Sequence, residues 1–197
     1  MSRSLTFVAA LTVAFLLVPA AFAARVSVRV EGKTQSLFGA LETRFEAGGN
    51  ALEALDTASL SGEFYYHVTQ SSLGPYVDQV GRYPAGGSNG WVFKVNGASP
   101  PVGADKVELK DGDRVLWYWA TFGPTGGPPS LLLTRTARNC YRVVSENDAG
   151  ADRVAAGAVL TVDRRRVRTR AGRACVGRHQ GVVRATLAGA VRSNALR

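Results

Sequence analysis

Residues 90–119, GWVFKVNGASPPVGADKVELKDGDRVLWYW, hold all three tryptophans of the chain and limit its possible folds most strongly. Trp91, Phe93 and Val95 alternate with Val92 and Lys94, the period of a strand with one apolar face. Asn96-Gly97 follows, a pair that tolerates the positive φ of a tight reversal. Lys110-Asp111-Gly112-Asp113 reads as a second turn. After it, Val115, Trp117 and Trp119 share one face of a second strand. Six large apolar side chains on two such strands build one side of a small core.

The flanking segments extend that sheet. Arg25 to Glu31 alternates, with Val26, Val28 and Val30 on one face, and is a first strand. Leu37 to Phe45 is read as the return strand, ended by Gly48-Gly49. Asn50 stands three residues before Glu53, an Asn-initiated capping box, so a helix is expected over Ala51 to Leu60 with Leu52, Leu55 and Ala58 or Thr57 on one side. Phe64 to Val68 is strand-like, and Ser71 to Asn89 reads as loop. The breaker cluster at 123–129, GPTGGPP, divides the chain. Beyond it, short strands are expected over 131–134, 140–144, 158–162, 167–169, 174–176, 182–187 and 190–192, in the manner of a small β-sandwich. The expected fold is therefore mainly β: an α+β domain over 24–122 with one helix, then a β-sandwich over 130–197.

Export is expected from the N-terminus. An apolar run over residues 5–18 follows Arg3, and Ala21-Phe22-Ala23 carries small residues where a signal peptidase cleaves, so residues 1–23 read as a secretory signal. No later run is long enough to span a bilayer. Cys140 and Cys175 are the two cysteines, and an even count outside the cytosol implies a disulfide between them. Two cysteines without paired histidines fall short of a zinc signature, so no metal is expected.

The spacing Trp91…Val95-Asn96-Gly97…Val102-Gly103-Ala104-Asp105…Leu109-Lys110-Asp111-Gly112-Asp113-Arg114-Val115…Trp117 resembles the signature of the transcobalamin C-terminal-like domain family. The resemblance covers roughly Arg25 to Phe122 and implies a β-grasp-like sheet with one helix. It also implies cobalamin as a possible ligand. In transcobalamin, however, a large helical barrel supplies the other half of that site, and this chain contains no such barrel. From Ala156 to Ala174 the sequence resembles carboxypeptidase-regulatory or Ig-like modules, although Arg170 stands where that family carries Asp-x-x-Gly.

Two candidate surfaces emerge. Tyr65, Tyr66, Gln70, Tyr76, Gln79, Tyr83 and Tyr118 combine aromatic faces with amides, which suits a ring or a sugar; the alternative is packing over a small sheet. Residues 25–134 carry nine Lys or Arg against eleven Asp or Glu, whereas residues 135–197 carry fourteen Arg against four acids. Arg164, Arg166, Arg168 and Arg170 recur at every second residue, one face of a strand, and suit an anionic cell-wall polymer. The alternative is a solvated face without a partner. Nucleic acid is not expected for an exported chain. His67 and His179 stand in no catalytic motif, and no Gly-rich loop precedes a Lys-Ser or Lys-Thr pair. The expected function is non-enzymatic: binding of a partner protein or surface polymer, with a cobalamin-like ligand as the second reading.

Overall fold

The computed structural model describes residues 24–72, 74–124 and 126–197; the expected leader over 1–23 lies outside them. The first half runs β1 (Arg25–Glu31), β2 (Ser36–Phe38), β3 (Arg44–Glu46), α1 (Ala51–Gly62), β4 (Tyr66–Ser71), β5 (Gly74–Val80), β6 (Tyr83–Pro84), β7 (Asn89–Val95) and β8 (Arg114–Thr121). The second runs β9 (Ser130–Ala137), β10 (Cys140–Glu146), β11 (Asp152–Val154), β12 (Val159–Val162), β13 (Arg165–Arg168), β14 (Arg173–Cys175), β15 (Val183–Thr186) and β16 (Ala195–Leu196). The protein is mainly β, with several sheets and one α-helix among the described residues.

The main sheet has the order β2-β1-β8-β7, with β3 also on β1. β1 and β8 pair in parallel, Val28 beside Val115 and Val30 beside Trp117. Such a pair needs a long crossover, and α1 lies within it. Asn50 caps α1 as its spacing predicts: its side-chain oxygen accepts from the amides of Leu52 at 3.1 Å and Glu53 at 2.9 Å. Glu53 reaches back to the Gly49 amide at 2.7 Å. Val26, Val28, Val30, Leu55, Trp91 and Trp117 share the first core.

Both turns of the tryptophan stretch form, and they are tied together. Asn96 and Gly97 have φ of 53° and 90°, and Val95 and Ala98 exchange backbone hydrogen bonds across them. Asp113 accepts from the Lys110 amide at 2.8 Å within its own turn and from the Asn96 side chain at 2.7 Å. The backbone favours glycine at 97, and a Cβ there would stand 2.5 Å from Glu146 Oε1, so a larger residue would also displace that carboxylate.

Three expectations are corrected. The return strand over 37–45 is two short strands, β2 and β3, because a turn with Glu42 at φ 50° interrupts it. Residues 71–89 are largely paired rather than loop: β5 and β6 join β4 in a separate three-stranded sheet. The last strand is β16, not 190–192. β11 had no sequence signal; its three residues are all exposed and pair with the end of β10.

The second half consists of two four-stranded sheets over one core, which includes Leu131, Leu133, Tyr141, Val143, Leu160 and Val183. Cys140 and Cys175 are register partners on β10 and β14 and form the disulfide. The halves are packed together. Leu116, Tyr118 and Ala120 on the outer face of β8 meet Val191, so β8 is buried on both sides.

The disulfide spans 35 residues, and closing such a loop constrains the unfolded chain by about 3–4 kcal/mol. Replacing both cysteines by serine should lower the urea midpoint by that free energy divided by the m-value. An unchanged midpoint in equilibrium unfolding would contradict this.

Candidate functional site

An apolar cleft of about 300 Å³ opens beside β7. β5 supplies Pro75 and Tyr76, β7 supplies Phe93, and Pro100 and Phe122 close the sides. Asp148, from the turn after β10, forms its polar rim. Tyr76 and Phe122 are each 42% exposed, and both line this one cleft. Burial raises the Tyr76 phenol, and the Trp91 backbone beside its hydroxyl works against that. A Cβ on residue 90 would lie 2.5 Å from that hydroxyl, so Gly90 lets the ring lie across the strand.

Beneath the cleft lies an aromatic stack. Phe93 stacks on Trp117 with ring centres 5.0 Å apart, and Trp91 meets Trp119 at 5.8 Å. Trp91 Nε1 donates to the Tyr83 carbonyl at 2.8 Å, so its one polar atom is satisfied. Tyr118 is fully buried at the base. Burial pushes its phenol above the ordinary range, the Asp148 charge adds to this, and a Ser99 hydrogen bond opposes it.

Lys94 holds the rim in place. Its side chain is fully buried, and its Nζ donates to the carbonyls of Glu146 at 2.9 Å and Asn147 at 3.0 Å. The same atom lies 3.5 Å from Asp148 Oδ1. Burial lowers the Lys94 pKa, and Asp148 and Glu146 work against that. Ser99 Oγ donates to Asp148 at 3.2 Å. The turn of the second half is thereby fastened to the sheet of the first.

Of the aromatic and amide candidates, Tyr76 and Tyr118 line this cleft. Tyr65 is exposed elsewhere, and Tyr66 donates to Asp56 on α1 at 2.8 Å. Gln79 donates to the Gly81 carbonyl at 2.9 Å, and Gln70 pairs in the β4–β5 hairpin. Tyr83 packs on Trp91 and Trp119, with its hydroxyl 3.0 Å from Thr34. Sequence reasoning did not single out Phe93, Pro100, Phe122, Ser99 or Asp148 for a site. Only the run Ser99-Pro100-Pro101 offered a local signal, since Asp148 arrives from the other half.

The arginine ladder is shorter than the spacing suggests. β13 holds Arg166 and Arg168, opposite Thr161 and Val159. Arg164 lies in the preceding turn at φ 64°, and Arg170 lies past the strand, bridged to Arg173. Arg173 is in turn the register partner of Arg142. Arg142, Arg173 and Arg170 thus form a second exposed row of like charges, and no ion pair to any of the six is formed among the described residues.

His67 Nδ1 lies 2.7 Å from Asp78, which also accepts from Thr69. The Thr69 hydrogen bond, with His67 beside it, holds the Asp78 carboxyl below its ordinary range. His179 lies between Tyr141 and the Gly181 carbonyl. Neither histidine lines the cleft. Among the described residues no group of three or more His, Cys, Asp or Glu is placed to hold a metal ion, and no helix is long and apolar enough to cross a membrane.

Residues 48–121 match a family described as a domain of unknown function, DUF4430. That span runs from the approach to α1 through β8 and contains most of the cleft wall. No curated protein matches the chain.

The tyrosines should titrate apart. Burial, then Asp56, pushes the Tyr66 phenol up to about 12, whereas hydrogen bonds from Thr34 and Arg82 lower Tyr83. A phenol raised in the folded state favours folding fully below its unfolded value of about 10. That contribution is lost as pH rises toward about 12. Phenolate absorbance should show Tyr83 ionising early, and Tyr66→Phe should remove one phenol from the step near pH 12. An unchanged high-pH step would contradict the assignment.

Proposed function

We propose that this is an exported, non-catalytic binding protein of the bacterial cell exterior. In this reading residues 24–122 form a β-grasp domain of the transcobalamin C-terminal-like kind. Residues 130–197 form an Ig-like β-sandwich, joined to it through 123–129. The order β2-β1-β8-β7 with a parallel central pair supports the first, and the disulfide supports export. The cleft beside β7 is the binding site, and the ligand presents a flat or apolar ring. The observation that carries this is the pairing of two open aromatic walls, Tyr76 and Phe122, with one fixed polar rim, Asp148. Arg166 and Arg168, without ion pairs among the described residues, serve an anionic polymer through salt-sensitive contacts. A cobalamin-like ligand is the second reading, raised by the family resemblance; a cleft of about 300 Å³ admits one ring-sized part of it.

Calorimetric titration of the full chain with indole and with p-nitrophenyl glucoside tests the cleft. Saturable binding that weakens about fivefold in each of Tyr76→Ala and Phe122→Ala is expected, since each loses a stacking face worth about 1 kcal/mol. Binding indifferent to both changes would overturn the reading. Polyphosphate in the same calorimeter should give heat that fades with salt and is lost when Arg166 and Arg168 become serine. Heat that survives both would remove the polymer from the proposal.

A further inference from the structure

β7 is the outer strand of the main sheet, and the cleft lies along its free edge. Which backbone groups face that edge follows from the register. The Asn96 amide donates to the Arg114 carbonyl at 2.9 Å, and the Phe122 amide donates to the Ser88 carbonyl at 2.8 Å. Both fit one antiparallel ladder, in which Val92 faces Tyr118 and Lys94 faces Leu116 through hydrogen-bonded pairs. Asn89, Trp91, Phe93 and Val95 therefore turn their N–H and C=O groups away from β8.

Most of these outward groups are already used. Asn89 exchanges hydrogen bonds with Gly86 at 3.0 and 3.1 Å, and Val95 with Ala98 at 2.8 and 3.1 Å. The Tyr76 hydroxyl lies against the strand at Gly90 and Trp91 and covers the Trp91 amide. What is left, without a protein partner among the described residues, is the Trp91 carbonyl, the Phe93 amide and the Phe93 carbonyl. These are an acceptor, a donor and an acceptor in sequence on one strand edge, at the side of a cleft with apolar walls. Unpaired backbone groups in such surroundings lose free energy comparable to a missing hydrogen bond, so the site favours a ligand that completes them.

The geometry points to an extended peptide as the occupant, added as a strand along β7 with one apolar side chain in the cleft. Peptide backbone supplies the complementary donor, acceptor and donor at strand spacing, whichever way it runs. The groove has the length for it. Past Pro75, Tyr76 and Gly103 the cleft continues into a second hollow of about 650 Å³ bordered by Val102 and Lys106. Each end carries a charge that is already paired: half-exposed Asp148, 3.5 Å from Lys94, stands at one, and exposed Lys106, 3.0 Å from Asp105, at the other. Neither end repels a peptide of either charge, so the backbone pattern and the apolar pocket set the choice. This inference rests on the cleft reading above and names its ligand class.

The test is to pan a display library of random decapeptides against the full chain. The best peptide is then resynthesised with N-methyl groups on alternate residues, in each of the two registers. Strand addition predicts that one register of N-methylation weakens binding at least thirtyfold and the other leaves it within threefold. It also predicts at least tenfold slower hydrogen exchange at the Phe93 amide in the complex. A peptide that tolerates N-methylation in both registers, or leaves Phe93 exchange unchanged, overturns the inference. So does a library that yields no binder while indole still binds; in that case the cleft reading stands alone. Loss of indole binding as well would remove both.

Discussion

The Glu31 carboxylate, 1% exposed at the end of β1, is the interaction on which the arrangement of the two halves depends. It accepts from Ser36 at 3.0 Å, from Arg192 at 3.0 Å and from Arg184. Arg29 Nη1 lies 3.6 Å away and donates to the Arg192 carbonyl, while its Nε donates to Glu42. Arg192 also donates to the Gly32 carbonyl at 2.6 Å. A buried ion cluster of this kind is a poor source of net stability against a hydrophobic replacement, because every charge has left water. It is directional, however. Removing the one carboxylate would leave three guanidinium groups facing each other, a loss of about 3–5 kcal/mol. The cluster therefore fixes how β15 and the segment after it lie on β1, more than it adds to the depth of the fold.

That orientation decides what the sheet can bind. With Ser27, Arg29 and Glu31 buried on one face of β1 and Val26, Val28 and Val30 on the other, the sheet is covered on both sides and offers its edges. β7 is the outer strand on one side, with the short β2 and β3 on the other. Lys94 then fastens the turn carrying Asp148 beside the same strand, so the rim of the cleft comes from the second half and the aromatic walls from the first. The binding function we propose rests on this construction. The cleft has a shaped apolar wall and an anchored carboxylate, while both histidines are engaged elsewhere.

Local chemistry was legible in the sequence wherever one residue pair decided a conformation. Asn50 with Glu53 marked the start of α1, Asn96-Gly97 and Asp111-Gly112-Asp113 marked the turns, and alternation marked β1, β7 and β8. β5 was hidden because Gly74-Pro75 reads as a breaker, although proline is tolerated at the first positions of a strand. The ladder arginines were visible as a pattern, but the turn at Asp163 and Arg164 removed one end of it from the strand. The junction was not legible at all. Glu31 and Arg184 are separated by 153 positions, and an alternating Ser-Arg-Glu face on a strand looks like a face for water. Asp148 joined the cleft for the same reason: its place is set by Lys94, whose buried ammonium no local pattern announces.

Differential scanning calorimetry of the full chain tests this account most directly. If the halves are held as one unit by the Glu31 cluster and the apolar contact of β8 with Val191, heating gives a single transition whose calorimetric and van't Hoff enthalpies agree. Two resolved transitions would mean that the halves unfold separately. A cleft walled by one half and rimmed by the other would then not be a fixed feature of the protein.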